Sequence, residues 1–114
     1  MNGDEIKKQT EEMLLKVPDL RSDILRMDYQ IKTGSADKKI IQLRDKKVSE
    51  LEFIIQVVST LSEDNQQIIC YKYFDKMKNI HIAKRLGVHP RTINRRINNG
   101  LLMDIGNNYL VIKL

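Results

Sequence analysis

Residues 79–98, NIHIAKRLGVHPRTINRRIN, constrain this chain more than any other stretch, because they admit one simple backbone path: two short helices joined by a tight turn. Ile82 and Leu86 stand four apart and share one helix face. Gly87 follows where a helix closing at Leu86 needs a left-handed residue, and glycine takes that conformation without a Cβ clash. Ala83 is small where two helices must cross closely, and Val88 is placed to plug the turn from the apolar side. His89-Pro90 marks the start of the second helix, since proline is favoured at the first helical position, where its missing N–H costs nothing. Ile93, Ile97 and Leu101 then repeat at four-residue spacing and give that helix an apolar stripe.

The opposite face of the second helix carries Arg91, Asn94, Arg95 and Asn98. Arg bonds guanine O6 and N7 bidentately, and Asn does the same with adenine N6 and N7, so these four are the expected base-reading side chains. Lys78, Lys84, Arg85, His89, Thr92 and Arg96 are better placed for phosphates, which fix register and carry little sequence information. Apolar spacing, turn glycine, proline start and basic face all agree on a helix-turn-helix that puts its second helix in the major groove of double-stranded DNA. The bland competing explanation is an amphipathic hairpin with a solvated basic face.

Charge supports the nucleic-acid reading through its distribution. The net charge of the 114-residue chain is +5. Residues 1–75 hold twelve Lys/Arg against fourteen Asp/Glu, residues 76–103 hold seven Lys/Arg and no acid, and residues 104–114 hold one of each. All the excess positive charge therefore sits on the proposed reading hairpin, and a polyanion is the simplest partner. Aromatic residues make up only 5% and there is no Trp, which disfavours the stacking platforms used on single strands and RNA.

Upstream, the expected fold is all-α: an N-terminal helical bundle or hairpin over residues 1–60, the helix-turn-helix domain over 61–103 and a C-terminal tail over 104–114. A first amphipathic helix spans about Gly3 to Val17 and is broken by Pro18. Leu20, Ile24, Met27 and Ile31 form a second helical seam. Thr33-Gly34-Ser35 stops one helix and restarts the next, with Ser35 as its cap and Ala36 as its beginning. Ile40, Leu43, Val48, Leu51, Ile54, Ile55, Val58 and Leu61 then give a broad apolar face. Four of these, Val48, Leu51, Ile55 and Val58, follow coiled-coil spacing, so both a small bundle and a homodimer through part of the face stay open. Ser62 caps a support helix whose apolar side is Ile68, Ile69, Tyr71, Tyr73 and Phe74, and Asn79 is the expected cap of the next helix. The tail ends in the apolar, β-prone run Tyr109-Leu110-Val111-Ile112.

Catalytic and metal chemistry is missing from the pattern. Two histidines and the single Cys70, in apolar company that suggests an inert thiol, are too few for a metal cluster, and no Gly-rich phosphate loop occurs. The expectation is a protein that is not an enzyme and uses no metal or cofactor. No signal peptide or apolar run of membrane-spanning length is visible, so no membrane partner is expected.

Residues 61–101 resemble region 4 of bacterial sigma factors: Leu61-Ser62 opening a support helix, Ile68-Ile69, Tyr73-Phe74, then Ile82-Ala83, Leu86-Gly87-Val88 and Thr92-Ile93. With its preceding helices, the whole chain is similar to phage and prophage late-gene regulators of the ArpU and RinA type. The resemblance implies a transcription regulator encoded by a phage or integrated element of a Gram-positive bacterium, with Arg91, Thr92, Asn94 and Arg95 at DNA-facing positions, and the expected place is the cytoplasm of the bacterial host, at the nucleoid. Two alternatives accompany it: a sigma-like adaptor docking on RNA polymerase, and the DNA-recognition subunit of a phage packaging machine.

Overall fold

Short polar signals set the helix boundaries. In the computed structural model, which describes the backbone of residues 2–113 and the side chains of residues 2–109, seven α-helices follow one another and no strand occurs among the described residues. Helix α1 (Gly3–Leu15) starts where Asn2 Oδ1 accepts the Glu5 N–H at 2.9 Å, with Asp4 and Glu5 near the positive end of the dipole. Helix α2 (Val17–Lys32) opens with Pro18 in its first turn, so the residue that interrupts one helix begins the other. Gly34, at φ +76°, ends α2.

Helix α3 (Lys38–Val58) is capped by Asp37, whose Oδ1 accepts the Ile40 N–H at 3.0 Å. Ser35 does not cap it, and α3 does not begin at Ala36. The Ser35 hydroxyl turns back and donates to the Gln30 carbonyl at 3.2 Å, closing α2 instead. Helix α4 (Glu63–Ile69) is capped by Ser62 and runs on through a π turn, Cys70–Phe74. Helices α5 (Asn79–Leu86) and α6 (Pro90–Arg96) form the hairpin, and a second π turn, Ile97–Leu101, carries α6 directly into α7 (Leu102–Lys113). The β-prone ending is thus helical.

Two charged contacts clamp α2 against α3 as an antiparallel pair: Arg44 Nε to Asp28 Oδ1 at 2.7 Å and Lys47 Nζ to Asp23 Oδ2 at 3.0 Å. The Lys47 hydrogen bond holds the Asp23 carboxyl below its ordinary range. The broad α3 face is only partly used: Ile54, Val57 and Val58 are buried, whereas Leu43 is 45% and Ile55 38% exposed.

Helix α7 lies along α1 and α3. Gly106 makes the close approach to α1, since a Cβ there would stand 2.6 Å from Ile6 Cγ2 and 2.7 Å from Thr10 Oγ1. The Tyr109 ring meets Phe53 edge-on at 5.2 Å, and Asn108 Nδ2 donates to Thr60 Oγ1 at 2.9 Å. One contiguous core results, running from Leu14 and Val17 through Ile54 and Val57 to Ile68, Ile69, Ile82, Ile93 and Ile105. Cys70 is half-buried within this body, and burial pushes its thiol up, which keeps it protonated.

Candidate nucleic-acid interface

The hairpin is built as its spacing demands. Gly87 takes φ +69° and ψ 32°, and its N–H donates to the Ala83 carbonyl. The Val88 N–H reaches the same oxygen at 3.0 Å, so the turn is closed from both residues. Ala83 is buried in one cluster with Ile82, Ile93 and Ile97. Pro90 occupies the first turn of α6, behind His89 in extended conformation, whose Nδ1 accepts the Arg91 N–H at 3.1 Å. That bond assigns the acceptor nitrogen to the backbone and leaves Nε2 for a contact outside the helix.

The second π turn explains how one apolar stripe serves two helices. Residues four apart on an α-helix drift steadily round the axis. The wider π turn winds less per residue and cancels the drift, so Leu101, Leu102 and Ile105 remain buried in line with Ile93 and Ile97.

Arg91, Asn94, Arg95 and Asn98 are all exposed. Counting about 100° per residue, Arg91, Arg95 and Asn98 point roughly 140–160° away from Ile93, while Asn94 lies to one side. Asn98 Nδ2 donates to Asn94 Oδ1 at 2.7 Å and to the Asn94 carbonyl at 3.0 Å, so these two amides form one unit. His89, Arg91, Thr92 and Arg95 together line an open cleft of about 290 Å³ at the start of α6.

Lys78, Lys84 and Arg85 are exposed on or just before α5, and the Arg85 guanidinium rests 5.2 Å over the Tyr71 ring. Arg96 stands apart. It is only about 60° round the helix from Ile93, and it lines a cleft of about 180 Å³ with Leu86, Val88 and Asp64. Among the described residues, none of the seven Lys and Arg side chains of residues 76–103 makes an ion pair.

Three features had little or no signal in the sequence. Asn79 does not cap α5; Lys78 is the capping residue and offers no side-chain bond, while Asn79 Oδ1 accepts from Lys72 Nζ at 2.8 Å. Lys76 takes φ 54°, a left-handed position in the link before α5, where the Met77 N–H reaches back to the Tyr71 carbonyl at 2.9 Å. Glycine or asparagine would have announced such a turn. Asn99, exposed and lining a second open cleft with Arg95 and Arg96, likewise carries no signal in the spacing. Among the described residues no three His, Cys, Asp or Glu side chains gather as a metal site would require, and no helix is long and apolar enough to cross a membrane.

Residues 52–103 match the family model of sigma-70, region 4. No curated protein and no solved structure matches the chain. The matched segment takes in the end of α3, the support helix, the hairpin and the second π turn. The chain is all-α and carries a sigma region 4-like helix-turn-helix, the equipment of a DNA-binding regulator.

Proposed function

We propose that this chain is a sequence-specific double-stranded DNA-binding transcription regulator encoded by a phage or prophage, of the ArpU and RinA type. The observation that carries its DNA-reading role is the division of α6 and the π turn after it: Ile93 and Ile97 are sealed in the core, while none of the cations around them makes an ion pair among the described residues. A surface of that kind is electrostatically unsatisfied until a polyanion meets it.

In this role Arg91 and Arg95 read guanine edges, and the coupled pair Asn94 and Asn98 presents one amide surface to adenine. Lys78, Lys84, Arg85, His89 and Thr92 hold backbone phosphates on either side. The phage assignment rests on the resemblance of the whole chain, with its helical N-terminal part. The protein works without catalysis or a cofactor, in the cytoplasm of a bacterial host at the nucleoid.

Selection of bound duplexes from a random pool tests this directly. A defined motif should emerge, bound more tightly than random DNA, with affinity falling steeply as salt rises. A two-fold symmetric motif would add a homodimer. Equal affinity for the selected and random duplexes at every salt concentration overturns sequence-specific reading.

A second role has one observation in its favour. Leu25 and Tyr29, one turn apart on α2, are 74% and 68% exposed, an apolar pair far from the hairpin's cations in sequence and suited to a protein partner. A sigma-like adaptor docked on RNA polymerase would use such a patch. Binding of purified polymerase that survives charge reversal of Arg91 and Arg95 but is lost in Leu25→Glu would favour the adaptor.

A further inference from the structure

From Asp28 to Phe53 no side chain is buried, although the stretch holds Ile31, Ile40, Ile41, Leu43 and Val48. It comprises the far half of α2, the loop and most of α3. The molecule is drawn out to match. Its radius of gyration is 16.2 Å and its extents are 50 × 33 × 21 Å, whereas a compact chain of this length would have a radius of gyration of about 13 Å. Along this arm the contacts of Arg44 with Asp28 and of Lys47 with Asp23 hold α2 to α3 where no buried side chain does.

One face of α3 stays open along the arm. Ile41, Val48 and Ile55 recur every seven residues, so they fall within roughly 40° of one another on the helix. They lie roughly 100° round from Ile54 and Val58, which are buried in the body. Ile41 is 41% and Ile55 38% exposed, and Val48 is half-buried. The stripe is about 21 Å long. All three residues are β-branched, the type that parallel helix pairs favour at one of their two core positions. Its borders differ in charge: Arg44 and, further round, Lys47 on one side, Asp45 and Glu52 on the other. Glu52 is exposed and makes no ion pair among the described residues. Arg44 bonds through Nε and Nη1, and Lys47 Nζ makes one bond, so both cations keep donors to spare.

We infer that this stripe is the contact between two copies of the chain, packed side by side with their α3 helices parallel. Charge decides the direction. A two-fold axis running along the helices turns the acidic border of each copy to the basic border of the other. An axis across them brings acidic border to acidic border, where like charges repel. Parallel packing also sets Ile41 on Ile41, Val48 on Val48 and Ile55 on Ile55, a self-complementary match of apolar residues. A stripe this short belongs at the small end of protein interfaces, so the dimer is a reversible one, roughly micromolar. It places both cationic hairpins at the same end of the pair. Leu25 and Tyr29, on α2, are no part of it.

Sedimentation equilibrium of the full chain, without DNA, tests this. The parent should dimerise at roughly micromolar concentration. In a parallel pair residue 41 meets its own copy, so Ile41→Lys and Ile41→Glu should each weaken dimerisation at least about tenfold by bringing like charges together. An equimolar mixture of the two variants should recover most of the association, because opposite charges then meet. Ile41 stands clear of the core, and thermal melts check that both variants fold as the parent does. A parent that stays monomeric at every concentration overturns the inference. So does a dimer indifferent to both variants, or a mixture that associates no better than its components, because residue 41 then does not meet its own copy. The measurement involves no DNA, so each of these results leaves the DNA-binding role standing.

Discussion

Tyr73 joins the first helix to the base of the helix-turn-helix, and its phenol makes that joint testable by pH. The residue is 2% exposed, and its O–H donates to Glu11 Oε2 at 2.7 Å. Burial, then the Glu11 hydrogen bond, then the Glu11 charge hold the phenol protonated well above the ordinary tyrosine range. A raised folded-state pKa contributes stability that is fully present below the unfolded value, about 10, and is lost as pH climbs beyond it. Tyr73→Phe keeps the ring and deletes the donor. A hydrogen bond to a charged group contributes about 1.5–3 kcal/mol. Glu11 is half-buried and regains water in the variant, so the lower end, about 1.5 kcal/mol, is the expected loss at neutral pH. Above about pH 10 the unfolded parent chain gains by ionising Tyr73 and the variant does not. The parent's advantage should then shrink by about 1.4 kcal/mol per pH unit and vanish near roughly pH 11. Urea titrations of both proteins between neutral pH and pH 11 read this difference, and the titrations of other tyrosines and lysines cancel in it. A difference that stays constant through the alkaline range refutes the buried, donating phenol. No difference at neutral pH refutes the joint.

Three further outcomes follow from the hairpin and its link. Gly87→Val places a β-branched residue at φ +69° and should lower stability by about 1–2 kcal/mol, read as a drop in melting temperature; an unchanged melt refutes the left-handed turn. Lys76→Gly should do the reverse, raising stability by up to about 1 kcal/mol because it relieves a left-handed lysine, and a lower melting temperature would show that the link is not strained. Arg91→Ala and Arg95→Ala should each weaken the selected duplex by about 1–3 kcal/mol with little effect on random DNA, whereas Lys84→Ala should weaken both and reduce the salt slope by about one; equal losses on both duplexes would move Arg91 or Arg95 to the phosphates.

The hairpin was legible because its determinants are local. Gly87 answers a single backbone angle, and Ile93, Ile97 and Leu101 answer a single period, so each can be read without knowing the neighbours. The last helix was not legible for the opposite reason. Gly106-Asn107-Asn108 looks like a turn and the apolar, β-prone run after it looks like a strand, yet Gly106 is there for its missing side chain, which lets α7 lie against Ile6 and Thr10. A tertiary contact thus overrides local propensity. Ser35 and Asn79 were plausible caps displaced by neighbours that fit better or by another partner, as Asp37 and Lys72 show. Among the site residues, exposure of Arg91, Arg95 and Asn98 could be read from phase alone, but the cleft that Arg96 lines together with Asp64 depends on where α4 packs, which no spacing within residues 79–98 encodes.

A recognition helix as short as α6, seven residues from Pro90 to Arg96, holds too few internal hydrogen bonds to keep its own direction in water. Its direction comes from continuity. The π turn joins it to α7 without a break, and α7 is fixed at its middle by the Gly106 contact with α1 and further on by the Tyr109 ring against Phe53 of α3. At the other side the support helix is tied to α1 through Tyr73 and Glu11. The N-terminal helices therefore aim the cationic face as well as adding bulk to the core. A lesion in α1 or α3 that leaves every side chain of residues 79–98 in place should still spoil sequence discrimination before it abolishes electrostatic attachment to DNA, because attachment needs only charge whereas discrimination needs the helix at a fixed angle.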